Sequence, residues 1–152
     1  MALPNVCDPQ VAQNLIHRIE QVTAETQPLW GKMNASQMLA HCNVTYEYIF
    51  EERTDKPNFL VKWLLKTFVK KKVTSEVPYE HNMATSPAFI IPDTKNFTQE
   101  KTRLINYINK VVSNGNKYFE GKSSNSFDVL TTEEWNNMMY KHLDHHLRQF
   151  GV

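Results

Sequence analysis

The apolar positions of the chain repeat mainly at helical spacing, and the clearest case is the final stretch, 131–152. Thr131 or Thr132, followed by two glutamates, is typical of a helix N-terminus, and Gly151 stands where a helix commonly ends. At about 100° per residue, one face of this helix collects the apolar side chains and is predicted to be buried. These side chains are Trp135, Met139, Leu143 and Phe150, with Met138 at the margin.

Three further stretches show the same periodicity and predict long helices. Asp8 followed by Pro9 is typical of a helix start, and Asn34 with Gln37 three residues later forms a capping-box pattern. Gly115 follows an asparagine where the third of these stretches stops. The predicted helices run over about 9–23, 35–51 and 98–114.

A shorter helix is predicted over about 57–70, opened by Pro57 and followed by lysines at 70–72. Lysines at a helix C-terminus interact favourably with the helix dipole, so we interpret them as a solvated helix end and not as an anion site. The stripe expected to be buried on this helix comprises Leu60, Trp63, Leu64, Thr67 and Phe68.

The segment 73–96 sustains no period and is interrupted by three prolines. A connection of this length without regular structure is uncommon in a compact domain and usually has a function. We therefore expect it to cross one end of the helices and to cover a pocket as a lid, with a short extended piece at 88–91.

The segment 115–130 is predicted to be a polar linker held by Phe127 and Leu130. The elements together predict an all-α fold, a four-helix bundle with an extra short helix and a long crossover loop. We expect residues 1–152 to form a single domain.

Composition excludes some functions. The 152 residues are 41% hydrophobic and 22% charged, and 17 basic against 16 acidic residues leave a net charge of +1. No overall electrostatic field attracts nucleic acid or an acidic membrane surface.

The first ten residues lack the features of a secretory signal and no apolar run is long enough to span a membrane, so a cytoplasmic protein is expected. Cys7 and Cys42 are far apart and are expected to be reduced thiols.

The most informative polar residues are histidines that fall on apolar helix faces. His142 and His146, one turn apart, lie within the apolar stripe of the last helix, whereas Lys141, Asp144 and Arg148 are predicted to point away from it. An i, i+4 histidine pair directs two ring nitrogens at one point, as a divalent metal requires. The alternative is a pair of hydrogen-bonded core histidines.

His41 adds a third inward-facing imidazole, because it lies among the apolar residues of the second helix. Burying three histidines on two helices costs free energy unless their ring nitrogens find polar partners, and a shared metal ion would supply one. His145 is expected at the surface or outside the ligand set, and His17 is expected to be solvated. His81 could reach a site from its loop, but a lone loop histidine is more often solvated. Leucine in place of the glutamate excludes the H-E-x-x-H protease motif.

Two motifs resemble those of a known superfamily. Trp30-Gly31-Lys32-Met33-Asn34 leads into Gln37-Met38-Leu39-Ala40-His41-Cys42, and the chain ends Tyr140-Lys141-His142-Leu143-Asp144-His145-His146-Leu147-Arg148-Gln149-Phe150-Gly151. Together they resemble the DinB/YfiT-like superfamily, and within it an uncharacterised branch that ends H-L-D-H-H-L-R-Q-F-G. The residues at 125–129 depart from the His-Pro-Phe-Phe-Gly stretch of that branch, so any pocket contact of its histidine is missing here.

The resemblance implies a four-helix bundle, commonly a homodimer, that binds a divalent metal through His41, His142 and His146. Zinc, nickel and iron all suit imidazole ligands. Related members are metal-dependent thiol transferases and isomerases, so the function expected here is a metal-dependent thiol transfer or hydrolysis on a small molecule. The alternative is a non-catalytic helical domain with a structural metal or none. No general base is evident, since Asp144 is predicted to point outward and neither Glu47 nor Glu52 is placed by the pattern.

Overall fold

The structure, a computed structural model, describes residues 2–50 and 52–152 and is mostly helical. Four long helices and two short ones account for nearly all of its regular structure. They are α1 Pro9–Gln21, α2 Ala35–Ile49, α3 Phe59–Leu64, α4 Lys70–Thr74, α5 Phe97–Asn114 and α6 Thr132–Gln149.

Three of the four long helices begin at the predicted residues, and α5 begins at Phe97, one residue before its predicted start. Asp8 caps α1, and reciprocal capping boxes begin α2 at Asn34 and α6 at Thr131. Gly151 adopts φ 78° just after α6, a conformation that glycine tolerates well. Helix α2 ends at Ile49, and residue 51, its predicted end, lies outside the described residues.

The long helices pack on one another around a shared apolar core. Helix α2 contacts α5 and α6, and α1 contacts the same two helices. The predicted inward face of α6 is confirmed, because Trp135, Met139 and Leu143 are at most 2% exposed. Cys42 is a buried core residue, and both cysteines are free thiols.

The predicted buried stripe of the third helix is wrong. Leu60, Trp63, Leu64 and Phe68 are 41–68% exposed, and Thr67 is also exposed. The helix continues from α3 through a π-helical segment, Leu65–Val69, into α4. A different set, four residues apart, lines a cavity: Leu65, Val69 and Val73 are half-buried there, and Val61, at its outer end, is 42% exposed. The helix is apolar on both sides, so periodicity alone did not identify the inward side.

Lys141 also differs from its prediction, because it is only 5% exposed. Its ammonium group donates to the backbone carbonyls of Lys72 (2.8 Å) and Ser75 (2.5 Å) at the end of α4 and lies 4.7 Å from the ring centre of Tyr79. A cation at a helix C-terminus is stabilised by the helix dipole. Lys141 therefore ties α6 to the start of the crossover loop.

The crossover loop runs from Ser75 to Asn96, with a 3₁₀ turn at Pro87–Phe89 where an extended piece was expected. A second connection, after α5, holds a 3₁₀ turn at Asn116–Phe119 and a small antiparallel hairpin of β1 Ser123–Ser124 and β2 Asp128–Val129. The predicted anchors are confirmed, since Phe127 is 9% and Leu130 is 0% exposed.

Across residues 2–50 and 52–152, the longest helices fall short of the length and apolar content that membrane crossing requires.

Candidate metal centre

The structure brings the three predicted histidines together at the inner side of α2 and α6. His41, His142 and His146 each offer a ring nitrogen, and these nitrogens all lie within 4.8 Å of one another. The ring centres are 4.6–4.9 Å apart. Nε2 of His41 is 2.9 Å from Nε2 of His142. Three imidazoles from two helices thus share one small volume.

The other nitrogen of each ring is held by the surrounding protein. Nδ1 of His41 lies 2.8 Å from the carbonyl oxygen of Phe89. Nδ1 of His142 lies 3.1 Å from the hydroxyl of Thr45, and Nδ1 of His146 lies 2.8 Å from Oε1 of Gln149. Such contacts to the nitrogen that faces away from a metal are the usual way in which proteins orient histidine ligands.

Two of these contacts settle which nitrogen carries the proton. A carbonyl oxygen only accepts, so Nδ1 of His41 must donate to Phe89 and its Nε2 carries the lone pair. Gln149 donates its amide hydrogen to the carbonyl of Trp30 at 2.7 Å, so its oxygen faces His146 and accepts from Nδ1. Both Nε2 atoms then carry lone pairs, and in the metal-free protein Nε2 of His142 donates to that of His41 at 2.9 Å.

The glycine at position 31 keeps this arrangement possible. Gly31 has φ 83°, and a side chain there would place a Cβ only 2.5 Å from Nε2 of Gln149. The Gly31 backbone thus leaves room for the amide that orients His146. This explains in physical terms why the Trp-Gly pair precedes the first histidine motif.

Burial keeps the three imidazoles neutral. His41 and His146 are 5% and 7% exposed, and His142, which lines the adjoining cavity, is half-buried. Desolvation, with a smaller contribution from nearby His41, lowers the pKa of His146 to about 3. Burial likewise lowers the pKa of His41 and holds that of His142 well below its usual value. A neutral imidazole is the form that binds a metal.

A second aromatic cluster lies beside the triad. Trp30 stacks on His81 with ring centres 3.8 Å apart, and His145 meets Trp30 edge-on at 5.8 Å and His146 at 5.1 Å. His145 therefore lies next to the triad and outside it, as predicted. His81 remains exposed, but its stacking on Trp30 was not predicted from the sequence.

The candidate carboxylates are engaged away from the triad. Asp144 accepts from Arg18 at 2.9 Å and from Arg148 at 2.8 Å, and Glu47 pairs with Arg53 and Arg103. Glu52 accepts from the hydroxyl of Tyr107.

The three histidines border a cavity of about 800 Å³. It is enclosed by α2, α6, the inward side of the α3–α4 helix and the crossover loop, with Phe89 and residues 82–88 of that loop among its walls. A pocket of this size suits a small molecule. The crossover loop thus covers a pocket as expected, and its role as a lid stays a prediction.

The family assignment rests on nearly the whole chain, because residues 8–151 match the profile described as a protein of unknown function, DUF1569. The chain belongs to the DUF1569 family. Comparison of this DUF1569 chain with curated proteins and with solved structures finds no match. Membership of the wider DinB/YfiT-like superfamily stays a prediction. The match includes all three histidines of the DUF1569 chain, and its description assigns them no role.

Proposed function

We propose that this DUF1569 protein is a DinB-like helical bundle that binds one divalent metal ion through His41, His142 and His146. The observation that carries the proposal is the common orientation of the three rings. Their Nδ1 atoms contact protein groups, while one nitrogen of each lies within 4.8 Å of the other two. Three convergent, neutral imidazoles form a donor set that suits zinc, nickel or iron.

We propose further that the metal takes part in small-molecule chemistry, as a thiol transferase or a hydrolase. A bound metal supplies a lowered pKa for a thiol or water ligand. Three protein ligands leave a position for such a ligand, which is typical of catalytic sites. The adjoining 800 Å³ cavity offers room for a substrate.

The chain's own residues support binding and shielding in this cavity. Phe89 holds His41 through its backbone and meets the rings of His41 and His142 edge-on at 5.6 and 6.1 Å. This places an apolar side chain of the crossover loop over the donor set, where it excludes water. Trp30 also lines the cavity, and its buried indole nitrogen has no acceptor among the described residues.

Cobalt(II) substitution tests the thiol-binding position without knowledge of the substrate. We expect the cobalt-loaded protein to gain a sulfur-to-metal charge-transfer band on addition of 2-mercaptoethanol. The protein with His142→Ala should show no such band, and the matched surface variant His17→Ala should behave like the wild type. A cobalt-loaded wild type whose spectrum is unchanged by the thiol would contradict thiol chemistry at this site.

A non-catalytic role is the second candidate, because the donor set joins two helices. His41 lies on α2, and His142 and His146 lie on α6, so a bound metal would cross-link these helices and stabilise the fold. A large fall in melting temperature on chelation, without the thiol-dependent band, would favour this role. The homodimer expected from the resemblance stays a prediction.

A further inference from the structure

The cavity beside the histidines has one wall of purely aliphatic side chains. Val61, Leu65, Val69 and Val73 all line it from the continuous helix that runs from α3 into α4. Twelve residues separate the first from the last, which corresponds to roughly 18 Å at the α-helical rise. The wall is much longer than the donor set and presents no polar side-chain atom.

The π-helical segment keeps the four aliphatic side chains on the same side of the helix. In an α-helix, residues four apart drift by about 40° per step around the axis, because four steps of 100° exceed a full turn. A π segment has more residues per turn, so the drift is offset across Leu65–Val69. The four aliphatic side chains consequently face the same cavity. A π segment at a ligand-facing position is a common feature of functional sites.

The ends of the wall can be placed from contacts of its neighbours. At one end, Lys141 contacts the carbonyls of Lys72 and Ser75, so Val73 lies near the helix turn that carries His142. At the other end, Lys62 and Lys66 pair with Asp128, so Val61 lies beside the β1–β2 hairpin. The wall therefore leads from the histidines towards the hairpin.

The facing side of the cavity is also largely apolar. Helices α2 and α6 and the loop contribute Ile49, Trp135, Met138 and Phe89. Among the polar side chains on this side, Tyr48 is already bonded, since its hydroxyl donates to Asp55 at 2.7 Å. A polar ligand would gain few hydrogen bonds along this length, whereas a hydrocarbon would bury apolar surface on both sides.

We propose that the cavity binds an elongated hydrocarbon chain, with the reactive polar group at the histidines and the chain along Val73, Val69, Leu65 and Val61. This inference rests on the proposed metal site for the position of the reactive group. It names the substrate class of that site as an amphiphile with a single unbranched chain. The side of the helix that carries Trp63 and Phe68 takes no part in this binding.

A homologous series of n-alkyl carboxylates, from butanoate to dodecanoate, tests the proposal by calorimetric titration of the zinc-loaded protein. We expect the affinity to rise by about three- to fourfold for each added CH₂ group. With Val69→Trp, the affinity should stop increasing at a shorter alkyl chain than in the wild type, because the indole blocks the cavity partway along the wall. With Val61→Trp, it should stop increasing only for the longest chains. Leu64→Trp, on the exposed side of the same helix, should leave the rise unchanged.

The two proposals fail in distinguishable ways. With His142→Ala, the whole series should bind more weakly, but the gain per CH₂ group should persist, because the chain does not contact the metal. An affinity that is independent of chain length in a zinc-binding wild type would overturn the hydrocarbon inference alone. Equal effects of Val69→Trp and Leu64→Trp would overturn it as well. A protein that binds no metal but keeps the chain-length dependence would overturn only the proposed metal site.

Discussion

Replacing His142 with alanine is expected to lower the affinity of the protein for Zn²⁺ by at least about a hundredfold, since loss of even an outer hydrogen-bond partner costs 10–100-fold. The three rings form a nearly equilateral triangle, with the ring centre of His142 4.9 Å from that of His41 and 4.8 Å from that of His146, which are 4.6 Å apart. Removal of His142 leaves two ligands, too few for a closed protein site. Calorimetric titration of metal-free protein purified without a histidine tag measures the effect.

The Zn²⁺ affinities of two further variants are to be compared with that of His142→Ala. His17 is exposed on α1, where its ring nitrogen lies 3.1 Å from the side-chain amide of Gln21, so His17→Ala should leave the affinity unchanged. Gln149→Leu removes the acceptor that orients His146 and should weaken binding by about 10- to 100-fold, less than His142→Ala. Equal affinities for the wild type and His142→Ala would show that the metal binds elsewhere.

Acid is expected to destabilise the metal-free protein between pH 6.5 and 4.5. Burial lowers the pKa of His146 from 6.5 to about 3 in the folded state, so the unfolded chain binds this proton first as the pH falls. The stability that the neutral imidazole provides is complete above pH 6.5 and is lost as the pH falls towards 3. At pH 4.5, two pH units below the unfolded pKa, His146 alone should reduce the free energy of unfolding by about 3 kcal/mol.

Urea denaturation at pH 7 and pH 4.5 measures this change. The pKa values of His41 and His142 are also lowered by burial and act in the same direction. The His146→Gln variant should lose a smaller part of its stability over the same interval, whereas His17→Gln should match the wild type. A wild type that is equally stable at both pH values would contradict a triad of buried neutral imidazoles.

Local signals predicted the long helices well because their ends are set by nearby residues. Asp8, Asn34 and Thr131 each cap a helix through contacts two or three residues away. Their apolar faces are one-sided, so periodicity identified the core. The convergence of His41 with the α6 pair followed from the inward direction of both faces.

Features that depend on distant partners were not predicted. Lys141 is buried because its ammonium group donates hydrogen bonds to carbonyls at the end of α4, some 70 residues earlier in the chain. The α3 helix carries apolar side chains on both sides, and only the packing of the π segment decides which side faces the cavity. Trp30 and His81 stack although they belong to separate connections. No periodic pattern contains this information.

X-ray absorption spectroscopy of the zinc-loaded, tag-free protein tests the central claim most directly, because it reports the atoms bound to the metal. We predict three imidazole nitrogens at about 2.0–2.1 Å, with a further light-atom ligand and no sulfur in the absence of added thiol. The variant with His41, His142 and His146 all replaced by alanine should retain no zinc. A sulfur neighbour at about 2.3 Å, or zinc retained by the triple variant, would contradict a metal centre built from these three histidines.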